Sequence, residues 1–133
     1  MSRYCLDTSA YSHFQRGDAA IVELIDRAEW LGAPAITLGE LRVGFLLGEQ
    51  RQRNEAALHQ FLSSPVVEEL AADGEVSRHY AEMLVDLRRA GTPLPTNYIW
   101  IAATATRAGA IVLSYDDHFK AITRVGSVIL RET

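Results

Sequence analysis

Short apolar runs, each ended by a polar or acidic residue, alternate along this chain with stretches of helical periodicity. That alternation constrains the fold more than any other feature. Tyr4-Cys5-Leu6 runs into Asp7, and residues 110–114 run through Tyr115 into Asp116. Further short strand candidates are Pro34-Ala35-Ile36-Thr37, residues 66–70 and residues 127–130. Between them, residues 8–15 form a candidate helix closed by Gly17, and Asp18 is placed to cap a second one. In that second helix Ile21, Leu24, Ile25 and Ala28 share a face, and Gly32 is the expected stop. Leu38, Leu41 and Phe45 mark a third helix ending near Gly48, and Ala57, Leu58, Phe61 and Leu62 a fourth, broken before Pro65. The polar residues 48–55, with Arg51 and Arg53, read as the connection between those two. From Glu75, the residues Val76, Tyr80, Met83, Leu84 and Leu87 keep helical spacing until Gly91. Pro93 and Pro95 mark a loop, and Thr96 or Asn97 can cap a helix running to about Ala108, with Gly109 at its end. A short helix is expected at residues 118–122. Strands and helices in this order point to an α/β fold with a mainly parallel central sheet.

The chain has 133 residues, a length that fits one domain spanning residues 1–133 and buries roughly two-thirds of the unfolded surface without disulfide staples. Its one cysteine, Cys5, lies in an apolar strand and reads as a core residue in a reducing cytoplasm. No apolar run approaches the ~20 residues needed to span a bilayer, and charge interrupts the N-terminus too early for a signal peptide. The net charge of −4 argues against nucleic-acid binding through a broad basic surface. It leaves open an enzyme whose positive charge arrives as bound metal ions. Twelve of the thirteen basic residues are Arg, Lys120 being the single Lys. The planar Arg fork suits phosphate, and a compositional bias explains the count equally well.

The acidic residues suggest chemistry because of where they fall. In open α/β sheets ligands bind beyond the carboxyl ends of the strands, near a switch in strand order. Asp7 and Asp116 each stand just past a strand; if those strands are neighbours, the two carboxylates converge. Glu40 is expected in the first turn of the helix after the second strand, and Tyr98 in the first turn of the helix before the fourth. Clustered carboxylates repel one another, and a hard divalent cation such as Mg²⁺ or Mn²⁺ relieves that repulsion. Such an ion activates water and stabilises charge on a phosphate under attack, so phosphodiester hydrolysis is the reaction that fits.

Each residue also has a plainer explanation. Asp7-Thr8-Ser9 is a fair helix cap. Thr37-Leu38-Gly39-Glu40 matches a capping box. Asp116 suits an Asx turn or a cap. His118 is a metal-ligand or base candidate, or a structural or surface residue. Asp117 reads as a solvated neighbour and Trp100 as a core or interface residue. The joint order, strand context and flanking residues carry more weight than any one position.

Four phrases resemble, in order and spacing, the motifs of PIN-domain ribonucleases, and most closely VapC-type toxins: Leu6-Asp7-Thr8-Ser9, Thr37-Leu38-Gly39-Glu40-Leu41, Pro95-Thr96-Asn97-Tyr98-Ile99-Trp100, and Ser114-Tyr115-Asp116-Asp117-His118-Phe119. The resemblance runs from Tyr4 to about Leu130. It implies a three-layer α/β/α sandwich with about five strands and a Mg²⁺- or Mn²⁺-dependent endoribonuclease in the cytoplasm. It also implies a homodimer, a VapB-like antitoxin whose C-terminal segment covers the cleft, and operator DNA bound only through that antitoxin. Carried over position by position, Asp7, Glu40 and Asp116 would be catalytic and metal-ligating acids, and Ser114 the small hydroxylic residue before the last acid.

Tyr98 departs from this pattern, standing where the family has Asp. A phenol is neutral at pH 7, with an ordinary pKa of ~10, and it is a poor ligand for a hard cation. The expectation is therefore weak metal binding and an impaired or inactive ribonuclease. The alternative is a binding module that keeps antitoxin binding and autoregulation without cleavage. A groove for an antitoxin helix is expected near exposed apolar residues on the helix around residues 57–62. A phosphoacceptor signalling domain shares the outline but normally needs paired early acids, an Asp after the third strand and a Lys after the fifth; here residues 66–70 are followed by no Asp except Asp73, and the one Lys is Lys120.

Overall fold

The computed structural model describes residues 3–132. Five strands form one parallel sheet: β1 (Tyr4–Leu6), β2 (Leu31–Pro34), β3 (Val67–Leu70), β4 (Ile111–Ser114) and β5 (Ser127–Ile129). Their order across the sheet is β3-β2-β1-β4-β5. The chain therefore steps outward from β1 to β3, then returns to the other side of β1. β1 and β4 pair in register, Tyr4 with Ile111, Cys5 with Val112 and Leu6 with Leu113. The switch in strand order lies between them, at the carboxyl ends that deliver Asp7 and Asp116.

Helices cover both faces. The strand period of two sends Cys5 and Val112 to one face and Leu6 and Leu113 to the other. Cys5 and Val112 join Val76, Met83 and Leu87 of α5 (Gly74–Arg89) and Ile99, Ile101 and Ala102 of α6 (Thr96–Arg107). Leu6 and Leu113 join Ala10 of α1 (Thr8–Gln15) and Ile21 and Ile25 of α2 (Ala19–Arg27). A third cluster links Tyr11 and Ala33 to Leu38 and Leu41 of α3 (Ala35–Leu47) and Leu58 of α4 (Arg51–Leu62). The result is the expected three-layer sandwich. Burial pushes the Cys5 thiol up to about 12, against the opposing charge of Arg3. Trp100 stacks on Tyr80 with ring centroids 3.9 Å apart, which places it in the α5–α6 packing.

Several expected boundaries shift. The second helix ends at Arg27 rather than Gly32, and β2 begins three residues earlier than Pro34-Ala35-Ile36-Thr37 suggested. Gly32 sits inside the strand because nothing larger fits. A Cβ there would lie 2.7 Å from Cys5 Sγ and equally close to Leu70 and Trp30. All four residues of β2 are buried, so they show no alternation to read. Ile36 and Thr37, β-prone by type, are helical because β2 ends at Pro34, which serves as the N-cap of α3. α4 starts at Arg51, inside the stretch read as a connection, because its first turn faces solvent and carries no apolar signal. Asp18 makes no side-chain cap bond, and α6 starts at Thr96 with Pro95 as its N-cap.

Of the apolar surface expected on α4 and nearby, α4 itself supplies little, and most lies on α3, which packs against it. Leu58 is buried, and Phe61 and Leu62 are half-buried. Among the described residues the large exposed apolar side chains are Val43, Leu46 and Leu47 on α3, Leu47 at 84%, and Val85 on α5. Among the described residues no helix is long and apolar enough to cross a membrane.

Candidate active site

At the switch point a cavity of about 470 Å³ is lined by Asp7, Glu40, Tyr98 and Asp116 together with Thr8 and Ser9. All four positions singled out in the sequence therefore face one space. They arrive from four elements: the end of β1, the second turn of α3, the first turn of α6, and the loop after β4.

Asp7 is the most enclosed, at 4% exposure. It is the N-cap of α1, with Oδ1 accepting from the Ala10 N–H at 2.8 Å. Ser9 Oγ donates to the same carboxylate at 2.8 and 2.9 Å, and Ser114 Oγ donates to Oδ2 at 2.6 Å. The plainer reading as a helix cap is thus true of this residue, and its carboxylate also lines the cavity. Burial pushes its carboxyl above the ordinary range. Donation from Ser114, Ala10 and Ser9 opposes that without cancelling it, and the charge of Asp116 adds to the rise. Ser114 and Ser9 also accept from the backbone N–H groups of Asp116 and Tyr115, at 2.8 and 3.0 Å. The two hydroxyls lock the end of β4 to the carboxylate at the end of β1.

Glu40 is not part of a capping box. Thr37 lies inside α3, buried, and donates to the Leu6 carbonyl at 2.9 Å. Glu40 instead accepts from Thr8 Oγ1 at 2.6 Å and from Asn97 Nδ2 at 3.1 Å. Asn97, expected as a possible cap, ties α6 to α3 across the mouth of the cavity.

The Tyr98 hydroxyl donates to Asp116 Oδ2 at 2.5 Å. Its ring meets His118 and Phe119 edge-on, with centroids 4.9 and 5.3 Å away. The bond to Asp116 pushes the phenol up to about 12, helped by burial and by the charges of Asp116, Asp7 and Glu40. Asp116 Oδ1 accepts from the His118 N–H at 3.0 Å and lies 2.9 Å from His118 Nδ1. Burial alone would raise Asp116, but the Tyr98 hydroxyl and the His118 backbone and ring outweigh it and hold the carboxyl below its usual range. Asp117 points away to Arg131 and Lys120, as expected of a solvated neighbour.

Every site carboxylate thus has protein donors on both oxygens. Among the described residues no three His, Cys, Asp or Glu side chains gather closely enough to hold a metal ion. The donor chemistry, three hard-oxygen acids, suits Mg²⁺ or Mn²⁺. The arrangement does not, because Tyr98 occupies one side of Asp116. The sequence exposed the acids but hid their donors. Ser9 and Ser114, 105 residues apart, meet on Asp7, and only the parallel pairing of β1 and β4 brings them together.

The PIN-domain profile matches residues 4–125. The chain belongs to the PIN-domain family. Within that family it is similar to the VapC group. It is 35% identical over 97 residues to Ribonuclease VapC4 of Mycobacterium tuberculosis, covering 73% of this chain and 74% of that protein. It is 31% identical over 126 residues to Ribonuclease VapC5 of the same organism, covering 92% and 90%. The structure of DNA-bound VapBC from Salmonella typhimurium superposes with a TM-score of 0.86 at 25% identity, covering 97% of this chain and 98% of that one. The PIN fold and the cavity at its switch point thus agree with the four motifs.

Proposed function

We propose that this chain, a single PIN domain over residues 1–133, is the toxin of a type II toxin–antitoxin pair in the cytoplasm. Its scaffold is that of an endoribonuclease hydrolysing RNA phosphodiester bonds, impaired here by Tyr98. The observation that carries the reading is the convergence of Asp7, Glu40 and Asp116 on one cavity, with Tyr98 at the fourth position. Relatives named as ribonucleases and a structural neighbour that is a VapBC complex support the substrate class and a VapB-like antitoxin partner. A homodimer, and operator DNA reached only through the antitoxin, belong to the same proposal.

Mg²⁺ or Mn²⁺ is the cofactor of this reading, and Asp7, Glu40 and Asp116 are the residues that would hold it. This chain is a poor host for the ion. The phenol keeps its proton and donates it to Asp116, so the fourth position offers no charge and only a neutral phenol oxygen, a weak ligand for a hard cation. Ser9, Ser114 and the Ala10 N–H hold Asp7, while Thr8 and Asn97 hold Glu40. With its carboxylates satisfied in this way, the cavity also favours a second reading, a binding module that keeps the antitoxin and does not cleave.

RNA cleavage with Mg²⁺ or Mn²⁺ separates the two. This chain is compared with Tyr98→Asp and with a Tyr98→Asp, Asp7→Asn double variant. Activity that appears in the single variant and vanishes in the double one supports the impaired ribonuclease. Folded but inactive variants throughout would leave the binding module, and equal activity with and without the substitution would refute the role given to Tyr98.

A further inference from the structure

The solvent face of α3 carries an uncharged row. Ala35, Gly39, Val43 and Leu47 stand four residues apart along it, Leu46 lies beside it, and all five are exposed. Leu46 and Leu47 are 62% and 84% exposed, on a helix whose opposite side buries Thr37, Leu38 and Leu41. A Cβ on Gly39 would meet nothing within 4 Å, and its φ is not positive. Nothing inside this chain requires glycine there, although glycine weakens a helix. The bare backbone leaves room for a group arriving from outside.

The two ends of the row differ in charge. The Ala35 end adjoins the acid cavity, where Asp7, Glu40 and Asp116 face one space and no Lys or Arg lines the walls. The Leu47 end runs into the turn before α4, where Leu46 and residues 48–53 line an open hollow of about 520 Å³. Around this turn Arg42, Arg51 and Arg53 outnumber Glu49 and Glu55. Arg42 holds Glu55 at 3.2 Å, while Arg51 and Arg53 are exposed and make no ion pair among the described residues. An apolar row with acids at one end and free arginines at the other is complementary to its own reverse. Two copies related by a two-fold axis lay apolar on apolar, and the basic end of each falls beside the acidic end of the other.

We infer that this face of α3 is a contact between two copies of the chain, running antiparallel about an axis near Phe45. Val43 of each copy meets Leu47 of the other, and Arg51 of each reaches the mouth of the other's acid cavity beside Gly39 and Glu40. Each cavity then receives a cation that its own chain does not supply. The inference rests on the homodimer of the proposed function, to which it gives a contact face, and is independent of RNA cleavage. The 13 residues of α3 span about 20 Å, a small face beside a standard interface, so the dimer is expected to dissociate on dilution.

Sedimentation-velocity ultracentrifugation of this chain over a range of concentrations reads the association. Leu47→Glu, at an exposed position that spares the fold, is expected to raise the dimer dissociation constant by about tenfold or more. Val85→Glu, 41% exposed on α5 and away from this face, should change it less than about twofold. The Arg51→Glu, Arg53→Glu double variant should weaken the dimer, most strongly at low salt. Leu46→Cys, next to the axis, should cross-link to its own copy with a short bismaleimide, and Val85→Cys should not; Cys5 is buried and stays out of the reaction. A dimer that Leu47→Glu leaves intact would overturn the face while the homodimer stands. A chain monomeric at every concentration would overturn both and leave the ribonuclease reading untouched. Weaker binding of the co-encoded antitoxin by Leu47→Glu, with self-association unchanged, would assign the face to that protein and also overturn the inference.

Discussion

Replacing Tyr98 by Asp should lower the melting temperature of metal-free protein by roughly 10 °C, and the structure says where the loss comes from. The phenol–Asp116 bond is charge-assisted, and such bonds contribute ~1.5–3 kcal/mol when buried. With the Asp116 side chain 31% exposed, about 1 kcal/mol is the appropriate figure here. The ring edges against His118 and Phe119 contribute about 1 kcal/mol more. A new carboxylate facing Asp116, with Asp7 and Glu40 nearby, adds repulsion of about 1 kcal/mol after solvent screening. Together these approach ~3 kcal/mol, and a chain of this size loses roughly 3–5 °C per kcal/mol. Tyr98→Asn isolates the charge, because it loses the bond and the ring without adding repulsion. It should melt about 3 °C above the Asp variant at low salt, and the gap should close as salt is raised. Differential scanning calorimetry in chelator reads both. If the Asp and Asn variants melt together at low salt, or if Tyr98→Asp melts at or above the parent, the repulsion account fails.

Four other outcomes follow from particular contacts. Thr37→Val strands the Leu6 carbonyl that the buried hydroxyl now satisfies, and urea unfolding should show a loss of about 1–2 kcal/mol; a change within error would mean the carbonyl finds another donor. Gly32→Ala forces a methyl into contact with Cys5, Leu70 and Trp30, and should cost about 1–3 kcal/mol; a neutral result would show that β2 shifts freely. The raised phenol of Tyr98 contributes stability that is present below its ordinary pKa of ~10 and lost as pH rises toward about 12. Tyr98→Phe should therefore flatten the alkaline limb of the stability–pH curve, and an unaltered limb would count against the Asp116 bond. Cys5, buried with its thiol pushed up to about 12, should resist a disulfide exchange reagent at pH 8 until the protein unfolds; rapid labelling of folded protein would contradict its place in the core.

Much of this architecture was legible in the sequence, for identifiable reasons. Tyr4-Cys5-Leu6 and residues 110–114 are apolar and end in acids, so both strands and the carboxylates at their ends could be read directly. β2 could not, because a fully buried strand containing Gly32 and Pro34 carries neither alternation nor β-branched residues. The start of α4 was hidden for the opposite reason, since Arg51, Gln52 and Arg53 face only water. Within the site, acid identity and position were visible and hydrogen-bond partners were not. Thr37-x-x-Glu40 looks like a local reciprocal cap, yet each side chain reaches another element, Thr37 to β1 and Glu40 to Thr8 and Asn97. Such contacts depend on strand order, and strand order is a property of the assembled sheet.

The account turns on one substituted position, and the affinity for Mn²⁺ tests it most directly. Titration of this chain and of Tyr98→Asp, followed by the electron paramagnetic resonance of the free ion, should show the variant binding at least about tenfold more tightly, the effect of ~1.4 kcal/mol. Asp7→Asn in the same background should abolish that gain. Equal affinity in this chain and in Tyr98→Asp would contradict the claim that the Tyr98–Asp116 bond is what closes the site to the metal.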